Sequence, residues 1–259
     1  MVEVLAKIAA LIPTYDNDKQ NYLDMTIESL RRQEGVDLEI IVASSCVYPP
    51  KVPEGVKLLN YPRENSAGLN VNLASKTTDA EFIILGNDDL IFAKQSVWWM
   101  WQMSKDNDII LNSLSNCDLG LMFHATFAVK NEHGDVLQLG KNMRMDQIKG
   151  FEESLMNLDA RYPAPLAFEA SYLCTYATMI RKDTWDKLGG YDVDGLEVYG
   201  IDTDLCWRAK ELNVKSYTTC NSFVFHFGGV TTYATPNEVR LEQMRKFGVK
   251  WPQAHATLG

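Results

Sequence analysis

Three places in this chain of 259 residues carry side chains suited to chemistry at neutral pH. The first is Asn87-Asp88-Asp89, directly after the apolar run Glu81 to Gly86 (EFIILG). Hard carboxylate oxygens of this kind suit Mg²⁺ or Mn²⁺, held by one or two carboxylates while phosphate oxygens fill the remaining positions. The same three residues serve equally well as an Asx turn or a helix N-cap. The second is Asp202-Thr-Asp204, opening a segment whose Leu205, Ala209 and Leu212 form an apolar stripe at helical spacing. Residues two apart on a helix diverge, so these carboxylates are expected to have different tasks, and either one can complement the helix dipole. The third is His226 in Phe-His-Phe-Gly-Gly. A lone histidine is more often structural than a ligand, and this one matters only in company with the acidic residues.

The elements that must position these groups follow from periodicity. Lys7 to Ile12, Leu38 to Ala43, Val56 to Asn60 and Glu81 to Gly86 are short apolar runs that read as strands, separated by helix-like segments at Asn21 to Arg32 and Ser66 to Thr77. That alternation predicts βαβ units and a mostly parallel central sheet flanked by helices, an α/β fold. In such sheets ligands sit beyond the carboxyl ends of the strands, where Asn87 to Asp89 fall. A helix over Lys94 to Lys105 carries Trp98, Trp99 and Trp101, a cluster read as core or interface rather than a sugar platform. From Leu119 the pattern changes to extended segments, then a polar stretch and the loop at Tyr162. Tyr172 to Arg181 reads as a strand, followed by a short helix ending at Gly189-Gly190 and a helix from Asp202 to Leu212. A strand near Phe223 to Phe227 and a helix from Pro236 complete the chain.

Composition narrows the function classes. With 46% hydrophobic and 23% charged residues the chain can bury a full core. A formal charge of −9 disfavours extended nucleic-acid binding. Cys46, Cys117, Cys174, Cys206 and Cys220 are dispersed and form no CxxC pair, so neither a zinc site nor a disulfide framework is expected, and the thiols point to a reducing, cytoplasmic compartment. No apolar window is long enough for a transmembrane segment. Peripheral attachment at the inner membrane face stays compatible with this. No repeat or low-complexity tract divides the chain, so one domain over 1–259 is expected.

Taken in order, the segments resemble the family-2 glycosyltransferases, inverting enzymes on the GT-A fold. Ile12-Pro13-Thr14-Tyr15 resembles the first nucleotide-binding loop, Asn65 to Asn72 the donor-site helix, and Leu85 to Asp89 the DxD metal motif in an Asn-Asp-Asp variant. The block from Met179 to Asn213 resembles the acceptor-side stretch through Gly-Gly-Tyr-Asp to the catalytic Asp. Val224 to Gly229 is similar to the later His-containing segment. The resemblance implies a nucleotide-sugar-binding half over about 1–115 and an acceptor-binding half over about 116–259.

It further implies a nucleotide-diphosphate sugar as donor, with a UDP-sugar favoured, and a hydroxyl-bearing acceptor, with carbohydrate the expected class. Mn²⁺ or Mg²⁺ is implied as cofactor, with Asp89 and His226 as metal ligands and Asn87 and Asp88 near the metal or the donor ribose. Pro13, Thr14 and Tyr15 are implied to line the nucleotide pocket, with Arg63, Asn65, Gly68 and Asn72 nearby. Asp202 is implied as the general base that takes the acceptor's proton, and Asp204 as a structural residue that pairs with Arg208. Two departures stand out. Ala43-Ser44-Ser45 replaces the acidic residue that in the family recognises the donor base, and Ile201 replaces the Glu before the catalytic Asp. Two alternatives remain, a sugar-nucleotide nucleotidyltransferase and a non-catalytic carbohydrate-binding protein on the same scaffold. The acidic, glycine-free loop after the first strand argues against the former, and Asp89, Asp202 and His226 together argue against the latter.

Overall fold

The computed structural model describes residues 6–15, 20–117, 127–140, 143–159, 165–196, 200–228 and 236–253. Parts of the weakly patterned stretch that begins at Leu119, including Leu119 itself and the loop at Tyr162, and the Asp16 to Asp18 part of the first loop lie outside the described residues.

Up to residue 86 the described strands are joined by three parallel connections, two of them through helices, as the expected βαβ units require. Strand β1 (Lys7–Thr14) pairs parallel with β2 (Asp37–Ser44) on one side and with β4 (Phe82–Gly86) on the other, and β3 (Lys57–Asn60) adds outside β2. Strand β1 is buried on both faces. Ile8, Ala10 and Ile12 join one apolar cluster and Ala9 and Leu11 the other, which is why it reads as an unbroken apolar run rather than an alternating one. Helix α1 (Gln20–Arg31) covers one face with Leu23, Ile27 and Leu30, each at most 1% exposed. Burial of such side chains contributes roughly 1.5–3 kcal/mol apiece. Helix α2 (Ala67–Ser75) is built from small residues and capped by Ser66, whose hydroxyl accepts from Leu69 N at 3.2 Å.

After β4 the sheet becomes mixed. Strands β5 (Leu90–Phe92), β6 (Ile109–Ser115), β10 (Ala177–Arg181) and β11 (Lys215–His226) extend it in the order β3-β2-β1-β4-β10-β6-β11-β5, with β9 (Ala167–Glu169) also on β11. Strand β10 is antiparallel to both neighbours, β5 and β9 run antiparallel to β11, and β6 is parallel to β11. The expected mostly parallel sheet therefore describes the first half of the chain, and the second half is assembled largely by antiparallel pairing. Helix α3 (Ser96–Ser104) follows β5. Its Trp98 ring lies against Gly35, and Trp101 packs on the core, in keeping with a packing role.

A two-stranded sheet, β7 (Phe127–Lys130) with β8 (Val136–Leu139), and the short helix α4 (Glu152–Met156) enclose a third apolar cluster beside β5 and β11. Helix α5 (Lys182–Leu188) ends at Gly189 and Gly190, both with left-handed φ. Helix α6 (Ile201–Glu211) follows, and α7 (Asn237–Lys250) is the last. On α6, Leu205 and Ala209 are buried as expected, whereas Leu212 caps the helix and is 50% exposed. Among the described residues, no helix is long and apolar enough to cross a membrane.

Candidate active site

Strands β1 to β4 deliver Thr14, Ser44, Asn60 and Gly86 to one edge of the sheet. The chain order reverses between β1 and β4, which makes that edge the expected ligand crevice. Across the switch point Thr14 Oγ1 donates to Asp88 Oδ2 at 2.7 Å, joining the first loop to the acidic one. Half-buried Tyr15 donates its hydroxyl to the Asn65 carbonyl, and Pro13 lies beside Ala43. Asn65 Nδ2 donates to Asn70 Oδ1 at 3.1 Å, and Asn70 Nδ2 in turn donates to Ser45 Oγ at 2.7 Å. Ser45 donates onward to the Pro62 carbonyl, so the position that carries an acid in the resembling family is occupied by a fully internal hydroxyl network. Arg63, on the adjoining turn, is exposed.

Asp89 and His226, 137 residues apart in sequence, are brought together by the pairing of β5 with β11, which sets His226 opposite Leu90. Asp89 Oδ1 lies 3.2 Å from His226 Nε2, an ion-pair distance without the alignment of a hydrogen bond, and this buried oxygen has no hydrogen-bond partner. Asn87 Nδ2 approaches the same imidazole nitrogen at 3.3 Å. Burial works to lower the His226 pKa, but the Asp89 carboxylate and Cys117 outweigh it and hold it up at about 10. Asn116 clamps the histidine backbone, accepting from His226 N at 2.7 Å and donating to its carbonyl at 3.1 Å.

Among the described residues no strand pairs with β5 on its outer side, and that backbone edge is satisfied from α1. Leu90 N donates to Thr26 Oγ1 at 2.9 Å and Phe92 N to Ser29 Oγ at 3.0 Å, both hydroxyls being fully buried.

Asp202 lies on the first turn of α6, half-buried, and accepts from Thr175 Oγ1. Burial pushes its carboxyl up from the ordinary aspartate range, opposed by the Thr175 hydroxyl and backbone N–H. The neighbour of Thr175 reaches the other acidic loop. Asn87 N donates to the Tyr176 carbonyl at 2.9 Å, and the Tyr176 ring sits over His226 with centroids 5.1 Å apart. Residues 175 and 176 thus touch both the Asp89–His226 pair and the Asp202 carboxylate, placing the two acidic loops on either side of one short segment.

Asp204, fully buried, turns the other way. It accepts from Arg208 Nε at 2.7 Å, from Lys250 Nζ at 2.6 Å and from Trp251 Nε1 at 2.8 Å. The expected pairing of Asp204 with Arg208 is present, and the divergence of the two carboxylates is complete.

Gly68 and Asn72, expected beside the nucleotide, form the seam between α2 and the α5–α6 segment. A Cβ on Gly68 would stand 2.5 Å from Ile201 Cδ1. Asn72 Nδ2 donates to the Tyr191 carbonyl at 2.8 Å and Asn72 Oδ1 accepts from Tyr191 N at 2.8 Å. Both positions therefore make close contacts across this seam.

One carboxylate oxygen without a hydrogen bond beside one imidazole nitrogen fits a divalent cation of borderline softness such as Mn²⁺. Among the described residues no three His, Cys, Asp or Glu side chains gather to hold a metal alone, so a cation here would rely on oxygens from a ligand. All five cysteines are free thiols. A groove of about 400 Å³ beside β7 and α4, lined by Val129, Lys130, Glu153 and Asn157 among others, shares no residue with this constellation.

Comparison with solved structures identifies the architecture as a glycosyltransferase fold of GT-A type. A crystal structure of GalNAc-T7 with UDP, GalNAc and Mn²⁺ superimposes with a TM-score of 0.63 over 86% of this chain, at 14% sequence identity, and the match takes in 44% of the GalNAc-T7 chain. No protein-family model matches the sequence. Uncharacterised proteins of Mycobacterium bovis and Mycobacterium tuberculosis are 35% identical over 74 residues, which is 28% of this chain and 26% of each of theirs. The chain thus matches little more than a quarter of the length of these curated relatives.

Proposed function

We propose that this chain is a metal-dependent, inverting glycosyltransferase of the family-2 kind, moving a sugar from a UDP-sugar to a carbohydrate hydroxyl. The observation that carries the reading is the pair Asp89–His226, with its unbonded carboxylate oxygen, tied through residues 175 and 176 to Asp202. The solved neighbour's UDP, GalNAc and Mn²⁺ support the donor and cation classes.

In this reading the chain is one domain, with a donor half up to about residue 115 and an acceptor half beyond it. Asp89 and His226 hold the cation. When bound, it neutralises charge on the departing diphosphate. Asn87 and Asp88 would lie near the metal or the donor ribose. Pro13, Thr14 and Tyr15 form one wall of the nucleotide site, Asn65 and the start of α2 the next, and Arg63 reaches in from the turn. Gly68 and Asn72 keep α2 against the acceptor half.

Asp202 takes the proton of the acceptor hydroxyl. As that proton leaves, the acceptor oxygen forms a bond to the anomeric carbon and the bond from that carbon to the diphosphate breaks, its electron pair leaving with the phosphate oxygen. A single displacement of this kind inverts configuration. Burial that raises the basicity of Asp202 makes it a better proton acceptor near neutral pH.

The test is incubation with UDP-, GDP-, CDP- and dTDP-sugars and Mn²⁺, scoring free nucleoside diphosphate. Release of UDP that stops on chelation supports the reading. Release of pyrophosphate, or no release from any donor, overturns it.

A further inference from the structure

The Asp202 carboxylate is held by a relay of two buried hydroxyls. Thr175 Oγ1 donates to Asp202 Oδ1, and the same Thr175 oxygen lies 2.5 Å from the Tyr191 hydroxyl. A threonine hydroxyl has one proton, so when it is given to the carboxylate the tyrosine must be the donor in the second bond. Each of these residues is only 7% exposed, so breaking either bond leaves a polar group unpaired away from water.

The relay has a direction and a fixed origin. Tyr191 follows the Gly189-Gly190 turn, and its backbone is gripped on both polar groups by Asn72 of α2. Thr175 precedes β10 and is fixed by its neighbour, whose carbonyl accepts from Asn87 of the metal loop. Asp202 therefore takes its orientation from the donor helix through Tyr191 and from the metal loop through Thr175.

We propose that Thr175 is a positioning residue for the base, fixing with Tyr191 the rotation of the ionised Asp202 carboxylate relative to the Asn87–Asp89 loop. This rests on the assignment of Asp202 as the base of the glycosyl transfer. During the step the Thr175 and Tyr191 protons stay where they are. The acceptor proton goes to Asp202, and the two hydroxyls hold the carboxylate while it arrives.

The titratable groups facing this cluster among the described residues are Tyr191, Cys206 and Arg208. Burial holds the Tyr191 phenol well above its ordinary value and the Cys206 thiol up at about 11, so both stay protonated near neutral pH. Neither of these two groups thus competes with Asp202 for the acceptor proton near neutral pH.

The experiment compares Thr175→Val, Thr175→Ser and Tyr191→Phe with the parent protein, using nucleotide release from the UDP-sugar active in the donor panel. A second readout is a ¹³C titration of labelled aspartate carboxyls, with the Asp202 signal assigned by its loss in Asp202→Asn. Thr175→Val should lower turnover about 10- to 100-fold with the donor KM within twofold of wild type. It should also move the Asp202 midpoint upward, because a bond to the charged form is lost. Thr175→Ser, which restores the hydroxyl, should recover both, and Tyr191→Phe should give a smaller effect of the same sign.

Unchanged turnover and midpoint in Thr175→Val overturn the proposal, as does a serine variant no better than valine. A fall in turnover without a midpoint shift reduces Thr175 to a packing residue and also overturns it. If the parent protein releases no nucleotide from any donor, the glycosyltransferase reading fails by itself, and the carboxyl titration still decides whether Thr175 holds Asp202.

Discussion

Lys250, the last residue of α7, places its ammonium 2.6 Å from the carboxylate of Asp204, which is fully buried on α6 two residues beyond Asp202. Arg208 and Trp251 donate to the same carboxylate, and Lys250 also contacts Asp192. The last helix is thereby latched onto the helix that carries the candidate base, at a point where three donors converge on one carboxylate. Burial works against the charge of Lys250, but Asp192 and Asp204 outweigh it and raise its pKa.

Removing the Asp204 charge strands Arg208 and Lys250 against a neutral amide. Asp204→Asn is expected to cost about 3–5 kcal/mol, the range for a buried ion pair broken on one side. Lys250→Met should cost only about 1 kcal/mol, since Lys250 is partly solvated and Arg208 still faces the carboxylate. Urea unfolding checks both, and equal small losses would show that the latch carries no weight.

The metal assignment predicts a different signature. Asp89→Ala should abolish the gain in UDP affinity that Mn²⁺ confers, while the affinity without metal stays within about threefold of wild type. Calorimetric titration of UDP with Mn²⁺ and with chelator measures both. His226→Ala should reduce the gain without erasing it. Identical affinities in Asp89→Ala and wild type with Mn²⁺ would remove Asp89 from the site.

Asp202→Asn separates binding from chemistry. The amide cannot accept the proton of a hydroxyl nucleophile, so nucleotide release in the presence of acceptor should fall by roughly 10²–10⁴. UDP binding with Mn²⁺ should be retained. Activity near wild type would exclude Asp202 as the base.

The raised carboxyl of Asp202 also predicts a sign in stability. A carboxyl whose folded pKa lies above its unfolded value holds its proton more firmly in the native state. Its contribution is fully present below the unfolded pKa and is lost as pH rises through the folded one. Asp202→Asn, which keeps the side chain neutral at every pH, should therefore raise the urea midpoint at pH 7.5 and give no such gain near pH 3.5. A variant less stable than wild type at pH 7.5 would contradict the burial-driven shift.

Legibility in the sequence tracked local encoding. Strands β1, β2 and β4 read directly because both faces are buried, so their apolar runs are continuous, and α1 read from Leu23, Ile27 and Leu30. Strand β5 did not, since Leu90 to Phe92 is three residues long and is held by hydroxyls of α1 that carry no strand signal. Only the end of β11 was read, because its Lys215 to Ser222 part is largely polar, with Thr218, Thr219, Asn221 and Ser222 buried against neighbouring strands.

Asp89, Asp202 and His226 could be singled out by residue type and position. Thr175, Tyr191 and Asn116 could not. A threonine or asparagine becomes visible only when the fold brings its partner within hydrogen-bond reach, and Asn116 meets His226 across 110 residues. Gly68 and Asn72 meet Ile201 and Tyr191, contacts between distant segments that sequence spacing does not encode.

The seam made by Asn72 supplies a last prediction, in which two adjacent glycines should behave differently. Gly189 and Gly190 both have left-handed φ, +76° and +75°, so a side chain at either carries a backbone penalty of about 1 kcal/mol. A Cβ on Gly189 meets nothing within 4 Å, whereas one on Gly190 would stand 2.4 Å from Asn72 Oδ1, the atom that accepts from Tyr191 N. Gly189→Ala should therefore lose about 1 kcal/mol and leave turnover within about twofold of wild type. Gly190→Ala must push Asn72 or Tyr191 aside, costing roughly 1–3 kcal/mol more. Since Tyr191 ends the hydroxyl relay to Asp202, that displacement should also lower turnover, by about tenfold, at temperatures where the variant is fully folded. Urea midpoints and nucleotide release measured on the same preparations separate the two effects. Equal behaviour of the two alanine variants would show that the contact between Asn72 and Tyr191 transmits nothing to the base.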